Sequence, residues 1–311
     1  MHILVTGGAG FIGANLCRAL ERAGHRATAF DDLSTGLASN LDGTDTRLII
    51  GSILEPDAIR AAAADADAVV HLAARPSVPR SVADPVPSHL VNATGTVNVL
   101  EAARHDGLRH VITAGSSSVY GANPILPKHP GLAPRPISPY AASKLAAESY
   151  TLAYGHSYGL PTLAFRFFNV FGPLQPAGHA YAAVVPTFVD AALSGRALPI
   201  HGDGTQTRDF TFIDTLTAVI VDSVQRRVTA AEPVNLAYGT RTDLLTIVDE
   251  MRKLMNEPIE IAFEPARAGD VPHSQADDSH IRSLFPTVTP TPLDTGLKAT
   301  IDWMRGLHQA S

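Results

Sequence analysis

The chain has 311 residues, 45% of them apolar and 17% charged, which is ample for a large buried core and ordinary for a soluble globular protein. Its formal net charge of −6 supplies no general attraction to nucleic acid or to an anionic membrane surface. A single cysteine, Cys17, excludes an internal disulfide framework and points to a reducing, cytoplasmic setting.

The first strand is predicted over His2–Val5, which leaves no room ahead of it for a signal peptide. It runs into Thr6-Gly7-Gly8-Ala9-Gly10-Phe11-Ile12-Gly13, and a helix is predicted from Ala14 to Ala23. Strand, glycine-rich turn and helix in that order form the context of a dinucleotide-binding fingerprint. Gly7 and Gly8 permit the tight turn, Gly10 lets backbone approach a pyrophosphate, and Gly13 lets helix pack on strand. The helix start then offers unpaired N–H groups to phosphate. A second strand, Ala27–Phe30, ends in Asp31-Asp32. Asp31 lies 18 residues after Gly13, near the position of an acid that binds ribose hydroxyls and repels a 2′-phosphate. NAD is therefore expected over NADP.

Strands follow at Arg47–Ile50, Ala68–Leu72, His110–Ala114 and Thr162–Phe167, with helices at Pro56–Ala64, His89–Ala103 and Tyr140–Tyr158. This alternation predicts an α/β fold with a doubly wound parallel sheet. Beyond Gly172 the alternation gives way to Pro, Gly and short apolar runs. A smaller substrate domain is predicted over 173–210 and 240–311. Residues 211–239, with a strand near Pro233–Ala237, return to the first domain, 1–172. The apolar stretch Ala180–Leu193 is too short for a membrane span of ~18 residues and is broken by Pro186 and Asp190. The 13 histidines show no pairing at metal-ligand spacing. His71, at a strand end, reads as structural or close to the cofactor.

Tyr140 and Lys144, at i and i+4, share one face of a helix. A cation held beside a phenol favours phenolate and lowers its pKa from about 10, making tyrosine a usable base. Ser116-Ser117-Ser118 follow a strand, where side chains reach the ligand crevice of such sheets and can bond a substrate hydroxyl.

With these residues in view, the chain resembles the extended short-chain dehydrogenase/reductases, and among them the nucleotide-sugar 4-epimerases of the UDP-glucose 4-epimerase type. Further markers are Asp31-Asp32-Leu33-Ser34-Thr35-Gly36, His71-Leu72-Ala73-Ala74, Asn92 with Gly95-Thr96, Arg166–Pro173, Gly202-Asp203-Gly204, Arg208-Asp209-Phe210 and Arg267-Ala268-Gly269-Asp270. The resemblance implies a Rossmann domain with tightly bound NAD and a smaller α/β domain for the nucleotide sugar. It implies NAD contacts at Gly7, Gly10, Phe11, Ile12, Gly13, Asp31, Asp32, Ser34, Ser52, Ile53, Leu72, Ala73, Ala74, Asn92, Tyr140, Lys144 and Phe167. It implies Tyr140 as base, Lys144 on the nicotinamide ribose and Ser116 on the sugar O4. Ser77, Ser117, Asn169, Gln175, Ala183, Arg208, Arg267, Asp270 and Ser274 complete the implied substrate set. A homodimer is implied through His89–Ala103 and Tyr140–Tyr158, with Leu100, Leu145 and Leu152 expected to face outward.

Relatives that dehydrate their sugar carry Asp-Glu after the Ser116 position, where this chain has Ser117-Ser118; decarboxylases usually carry a Glu there. Uronate-specific relatives tend to have Thr at the Asn169 position, with an Arg soon after. Ser274 stands where narrow galactose-specific relatives have a bulky aromatic, so a 2-acetamido sugar has space. The expected reaction is 4-epimerisation of UDP-GlcNAc/UDP-GalNAc, with UDP-Glc/UDP-Gal, uronate or another nucleotide sugar as alternatives. A non-catalytic NAD sensor is a further class, opposed by the intact Ser116, Tyr140 and Lys144. Ser52, where an acid is usual, and Thr215, where a second acid is common, depart from the pattern.

Overall fold

The computed structural model describes residues 1–105, 107, 109–177, 183–265 and 272–310. The chain opens with β1 (His2–Thr6), α1 (Phe11–Arg22), β2 (Arg26–Asp31), β3 (Arg47–Ile50), α2 (Pro56–Ala63) and β4 (Ala68–His71). Two short helices, α3 (Val78–Ala83) and α4 (Pro85–His89), precede a π turn over Leu90–Thr94 and α5 (Gly95–His105). Then come β5 (His110–Ser116), α6 (Pro139–Tyr158) and β6 (Thr162–Phe167). The second half supplies β7 (Asn169–Phe171), α7 (Val184–Leu193), β8 (Leu198–His201), β9 (Thr207–Arg208) and β10 (Phe210–Phe212). Helix α8 (Ile213–Arg226) leads to β11 (Val234–Leu236), followed by β12 (Thr242–Asp243), α9 (Leu244–Met255), β13 (Ile261–Glu264), α10 (Ser279–Leu284) and α11 (Leu293–Ala310).

The chain divides into two compact units. The first comprises 1–123, 130–167 and 217–236. Its seven-stranded parallel sheet has the order β11-β6-β5-β4-β1-β2-β3, so strand order reverses between β1 and β4. The expected doubly wound α/β architecture is what forms. Its strands are apolar because both faces are covered: Ile3, Leu4, Val5, Val69, Val70, Val111 and Ile112 are buried. A ligand crevice is expected outside the carboxyl ends of the strands at that reversal.

The second unit comprises 124–129, 168–216 and 237–311. It holds three two-stranded pairings, β10 with β7, β12 with β9 and β13 with β8. Phe171 packs edge-on against Phe210, with ring centroids 6.1 Å apart, and lies 5.5 Å from Phe212. Segment 124–129, read from sequence with the first domain, belongs here. The Lys128 N–H donates to the Gln275 carbonyl at 2.7 Å, and the Asp277 N–H to the Lys128 carbonyl at 2.9 Å.

Several local expectations are corrected. Helix α1 begins at Phe11, not Ala14, so it starts inside the glycine fingerprint. The cause is close approach: a Cβ on Gly13 would lie 2.1 Å from the Gly7 carbonyl oxygen, and Gly7 has φ +70°. The helix expected over His89–Ala103 is broken by the π turn, whose Asn92 side chain is drawn into bonds described below. Leu100, expected outward, is fully buried in the first unit's core, and Leu145 and Leu152 are half-buried. The exposed large apolar side chains on α3, α4, the π turn and α6 are Val78, Val82, Val86, Leu90, Tyr150 and Tyr158. Cys17 is buried on α1, where burial pushes its thiol up to about 12 and leaves it unreactive. Among the described residues, no helix is long and apolar enough to cross a membrane.

The Gly13 contact generates a prediction. Gly13→Ala forces α1 away from β1 and should destabilise the fold by about 1–3 kcal/mol, with loss of co-purifying NAD. Denaturant unfolding and absorbance of the released dinucleotide measure both effects.

Candidate functional site

In the first unit, Thr6 pairs in register with Phe30 of β2 and with His71 of β4. The turns after all three strands therefore converge. Gly7, Gly10, Phe11, Ile12 and Gly13 form the turn and the first turn of α1, and no side chain caps that helix start. Leu72, Ala73 and Ala74 pass so close that a Cβ on Gly7 would lie 2.7 Å from the Ala73 nitrogen. Asp31 is buried at the end of β2 and accepts N–H bonds from Ala9 at 3.0 Å and Leu33 at 2.9 Å. Burial pushes its carboxyl above the usual range, against those bonds. Asp32 accepts the Ser34 N–H, and Ser52 Oγ the Leu54 N–H. Ile53 is buried, and its carbonyl accepts Asn98 Nδ2 at 2.9 Å. An uncapped helix start, a turn open only to glycine and a buried acid one strand away fit a dinucleotide.

Asn92 acts on the chain itself. Its Oδ1 accepts the Arg75 N–H, and its Nδ2 donates to the Arg75 carbonyl and to Ser143 Oγ at 2.9 Å. Both amide hydrogens are thereby taken up, so Asn92 fixes the 72–77 loop against α6. His71 is buried between Thr6 Oγ1 at 2.7 Å and Thr96 Oγ1 at 3.0 Å. Burial, with the nearby Lys144 cation, pulls its imidazole down to about 3, so it is neutral.

Ser116 is the last residue of β5, directly opposite Phe167 of β6. Its Oγ accepts two bonds from Ser118, one from the N–H at 3.2 Å and one from Oγ–H at 2.8 Å. Those bonds orient its hydroxyl, which lies close enough to the Tyr140 phenol to oppose the rise of its pKa. Ser118 thus orients Ser116, a role no sequence signal identified. Ser117 lies in the following turn. Tyr140 opens α6, its backbone N–H donating to Ser81 Oγ at 3.0 Å. Lys144 Nζ donates to the Ala114 carbonyl at 2.7 Å, which ties α6 to β5. Burial pushes the Tyr140 phenol up, and the Ser116 bond pulls it down. Burial also pulls Lys144 down to about 8. The net shift of the phenol is upward, with burial outweighing the serine.

The second unit holds a cavity of about 230 Å³. Asn169, Ala183, His201, Gln206 and Arg208 line it, with Val185, Phe188 and Phe210 as its apolar wall. His201 and Gln206 were not singled out from the sequence. Imidazole Nδ1 of His201 lies 3.2 Å from Glu264, and Gln206 Nε2 donates to the His201 carbonyl. Arg208 donates to the Thr207 and Pro272 carbonyls. Ser77, Gln175 and Ser274 are not part of this wall. Ser77 caps α3 at φ +99°, Gln175 Nε2 bonds the Val170 carbonyl, and the Ser274 N–H bonds the Thr207 carbonyl. Arg267 and Asp270 lie outside the described residues.

Asp209, next to Arg208, is fully buried. Its carboxylate accepts the Gly239 and Ala276 N–H groups at 3.0 Å each and Thr240 Oγ1 at 2.9 Å. It therefore fixes the strand bearing Arg208 to two other segments.

A parallel sheet reversing beside a glycine cradle, with Ser, Tyr and Lys at adjacent strand and helix ends, defines an NAD-binding enzyme of the short-chain dehydrogenase type. The model of the family "NAD dependent epimerase/dehydratase" matches residues 3–237. The UDP-glucose 4-epimerase of Mycolicibacterium smegmatis is 36% identical over 99% of this chain and 100% of its own length. The solved UDP-N-acetylglucosamine 4-epimerase of Methanobrevibacter ruminantium, in complex with UDP-N-acetylmuramic acid, superposes with TM-score 0.93 at 32% identity, covering 98% of each chain. The Bacillus cereus UDP-glucuronic acid 4-epimerase, with UDP-glucuronic acid and NAD, gives 0.88 at 31% identity, covering 99% of this chain and 100% of the other. The chain belongs to the NAD-dependent epimerase/dehydratase family, as an NAD-dependent enzyme of its nucleotide-sugar 4-epimerase class.

A pH prediction follows from Asp209. Burial raises its carboxyl from 3.8 to about 6. The native state then binds the proton more tightly than the unfolded chain. Its contribution to stability is full below about pH 4 and is lost as pH rises through about 6. Asp209→Asn should lower stability overall, leaving a donor facing donors, and should remove this decline. Denaturation midpoints of both proteins between pH 4 and 7 measure the difference.

Proposed function

We propose that the protein interconverts UDP-hexoses at C4 through a transient 4-keto sugar, with UDP-GlcNAc/UDP-GalNAc as its pair. The observation that carries the reaction is Ser116, oriented by two bonds from Ser118 at the end of β5 and near the Tyr140 phenol, beside a cradle that fits NAD. Tyr140 takes the O4 proton, and Ser116 donates its hydrogen bond to the phenolate or to O4 as charge moves between them. NAD, when bound, accepts hydride from C4 and returns it. Lys144, held to β5 through Ala114, orients the nicotinamide ribose. In the second unit, Arg208 and Asn169 hold the diphosphate end, while the apolar wall of Val185 and Phe188 and the His201 ring flank the base. Arg267 and Asp270 complete this set by resemblance. Anchoring through the nucleotide alone leaves the keto sugar able to turn over before hydride returns.

The acetamido preference rests on the small Ser274 and on the Methanobrevibacter relative's N-acetylated substrate. The 36% identity to a UDP-glucose 4-epimerase favours UDP-Glc/UDP-Gal as the second reading. A homodimer through the α5 and α6 side of the first unit belongs to the same proposal, and exposed Val82, Val86, Leu90 and Tyr150 support it.

Tyr140→Phe should fold and retain NAD while turnover drops roughly 10²–10⁴-fold, the usual cost of losing a general base. Interconversion of UDP-hexoses without added cofactor is the assay, and near-native turnover would remove Tyr140 from the reaction. Ser274→Tyr should abolish UDP-GlcNAc/UDP-GalNAc interconversion and spare UDP-Glc/UDP-Gal, a discrimination of about tenfold or more if overpacking costs 1–3 kcal/mol. Equal losses on both pairs would indicate general damage, and no loss on either would take Ser274 out of the sugar site.

A further inference from the structure

One buried ionic group takes no part in the chemistry above. Arg166 of β6 and Glu148 of α6 are 3% and 4% exposed. They form a two-pronged fork: Arg166 Nε to Glu148 Oε2 at 2.7 Å, and a terminal guanidinium nitrogen to Oε1 at 2.7 Å. The other terminal nitrogen donates to the Pro130 carbonyl at 3.3 Å. The guanidinium lies 4.6 Å from the centre of the Tyr120 ring, and Tyr120 Oη donates to Asn235 Oδ1 at 2.7 Å.

Replacing a buried ion pair by well-packed apolar residues is often neutral or stabilising, so stability alone is a weak reason for this one. Its position supplies another. Glu148 is one helical turn beyond Lys144 and two beyond Tyr140. Arg166 pairs in register with Gly115, the residue before Ser116. Tyr120 closes the turn that Ser116 opens. The fork therefore joins the helix that carries the phenol, the strand beside the serine and the far end of the serine's turn. A bidentate guanidinium–carboxylate contact fixes both distance and orientation, which a sliding apolar contact does not.

We propose that the Arg166–Glu148 fork, with Tyr120 stacked on it, is a positioning device that sets the placement of Ser116 against Tyr140. It rests on the reading that Ser116 and Tyr140 handle the O4 proton. None of its side chains is required to touch substrate.

The test compares wild-type holoenzyme, Tyr140→Phe and the double variant Glu148→Leu/Arg166→Met in UDP-hexose interconversion. The double variant should melt at or above wild type and keep its NAD and its KM. Its kcat should fall about 10²-fold, as for a displacement near 1 Å. The acidic limb of its kcat–pH profile should move to higher pH, because a phenol less well bonded to Ser116 ionises later. Wild-type kcat and an unmoved limb would overturn the proposal, as would a lowered melting temperature with an unmoved limb. An active Tyr140→Phe would overturn the proton role itself, and the device with it. If the double variant does not fold, Arg166→Lys keeps the cation and loses the fork. Reduced kcat with a shifted limb in that variant supports the device; an unchanged profile overturns it.

Discussion

One buried line of hydrogen bonds links the glycine turn to α6, and each donor along it has a single available direction. Thr96 Oγ1 donates to the Asn92 carbonyl at 2.6 Å, so it accepts from His71 Nε2–H. The other imidazole nitrogen must then accept, and Thr6 donates to it while receiving the Ala73 N–H at 3.3 Å. Asn92 carries the line on to Arg75 and Ser143. A charged His71 would supply a donor at both ring nitrogens and break this order, so its low pKa is part of the architecture. Through these groups β1, β4, the π turn and α6 hold one arrangement, and the cofactor cradle and the phenol are set together.

The second unit solves a comparable problem with one carboxylate. Asp209 gathers N–H groups from two distant loops and a hydroxyl, all at about 3 Å. The cost is desolvation of a charge, seen in its raised pKa. The benefit is a fixed strand on which Arg208 reaches the cavity wall. In both units the groups placed for chemistry sit beside buried polar groups that have no chemical role, and a fully satisfied polar network specifies a unique local arrangement.

The serine cluster shows how the same residues take different parts. By resemblance, Ser117 and Ser118 stand where dehydrating relatives carry acids, and from the sequence they only speak against dehydration. In the fold Ser118 makes two bonds to Ser116 and so orients its hydroxyl. Lys144 has a second part as well: besides sharing a helix face with Tyr140, its ammonium donates to the Ala114 carbonyl of the neighbouring strand.

The sequence by itself determined the parallel sheet, its strand spacing, the glycine turn followed by Asp31, and the i, i+4 placement of Tyr140 and Lys144 on one helix. These follow from local periodicity, backbone sterics and short spacing, all of which are written along the chain. It did not determine the early start of α1, the π turn at Asn92, the burial of Leu100, the cavity places of His201 and Gln206, or the fork between Glu148 and Arg166. Each of those depends on residues far apart in sequence meeting in three dimensions: Gly13 on Gly7 across the turn, Asn92 on Ser143, Arg166 on a helix 18 positions away. Side-chain direction and hydrogen-bond polarity were decided only there, because a donor's role depends on which partner the tertiary structure has already given it.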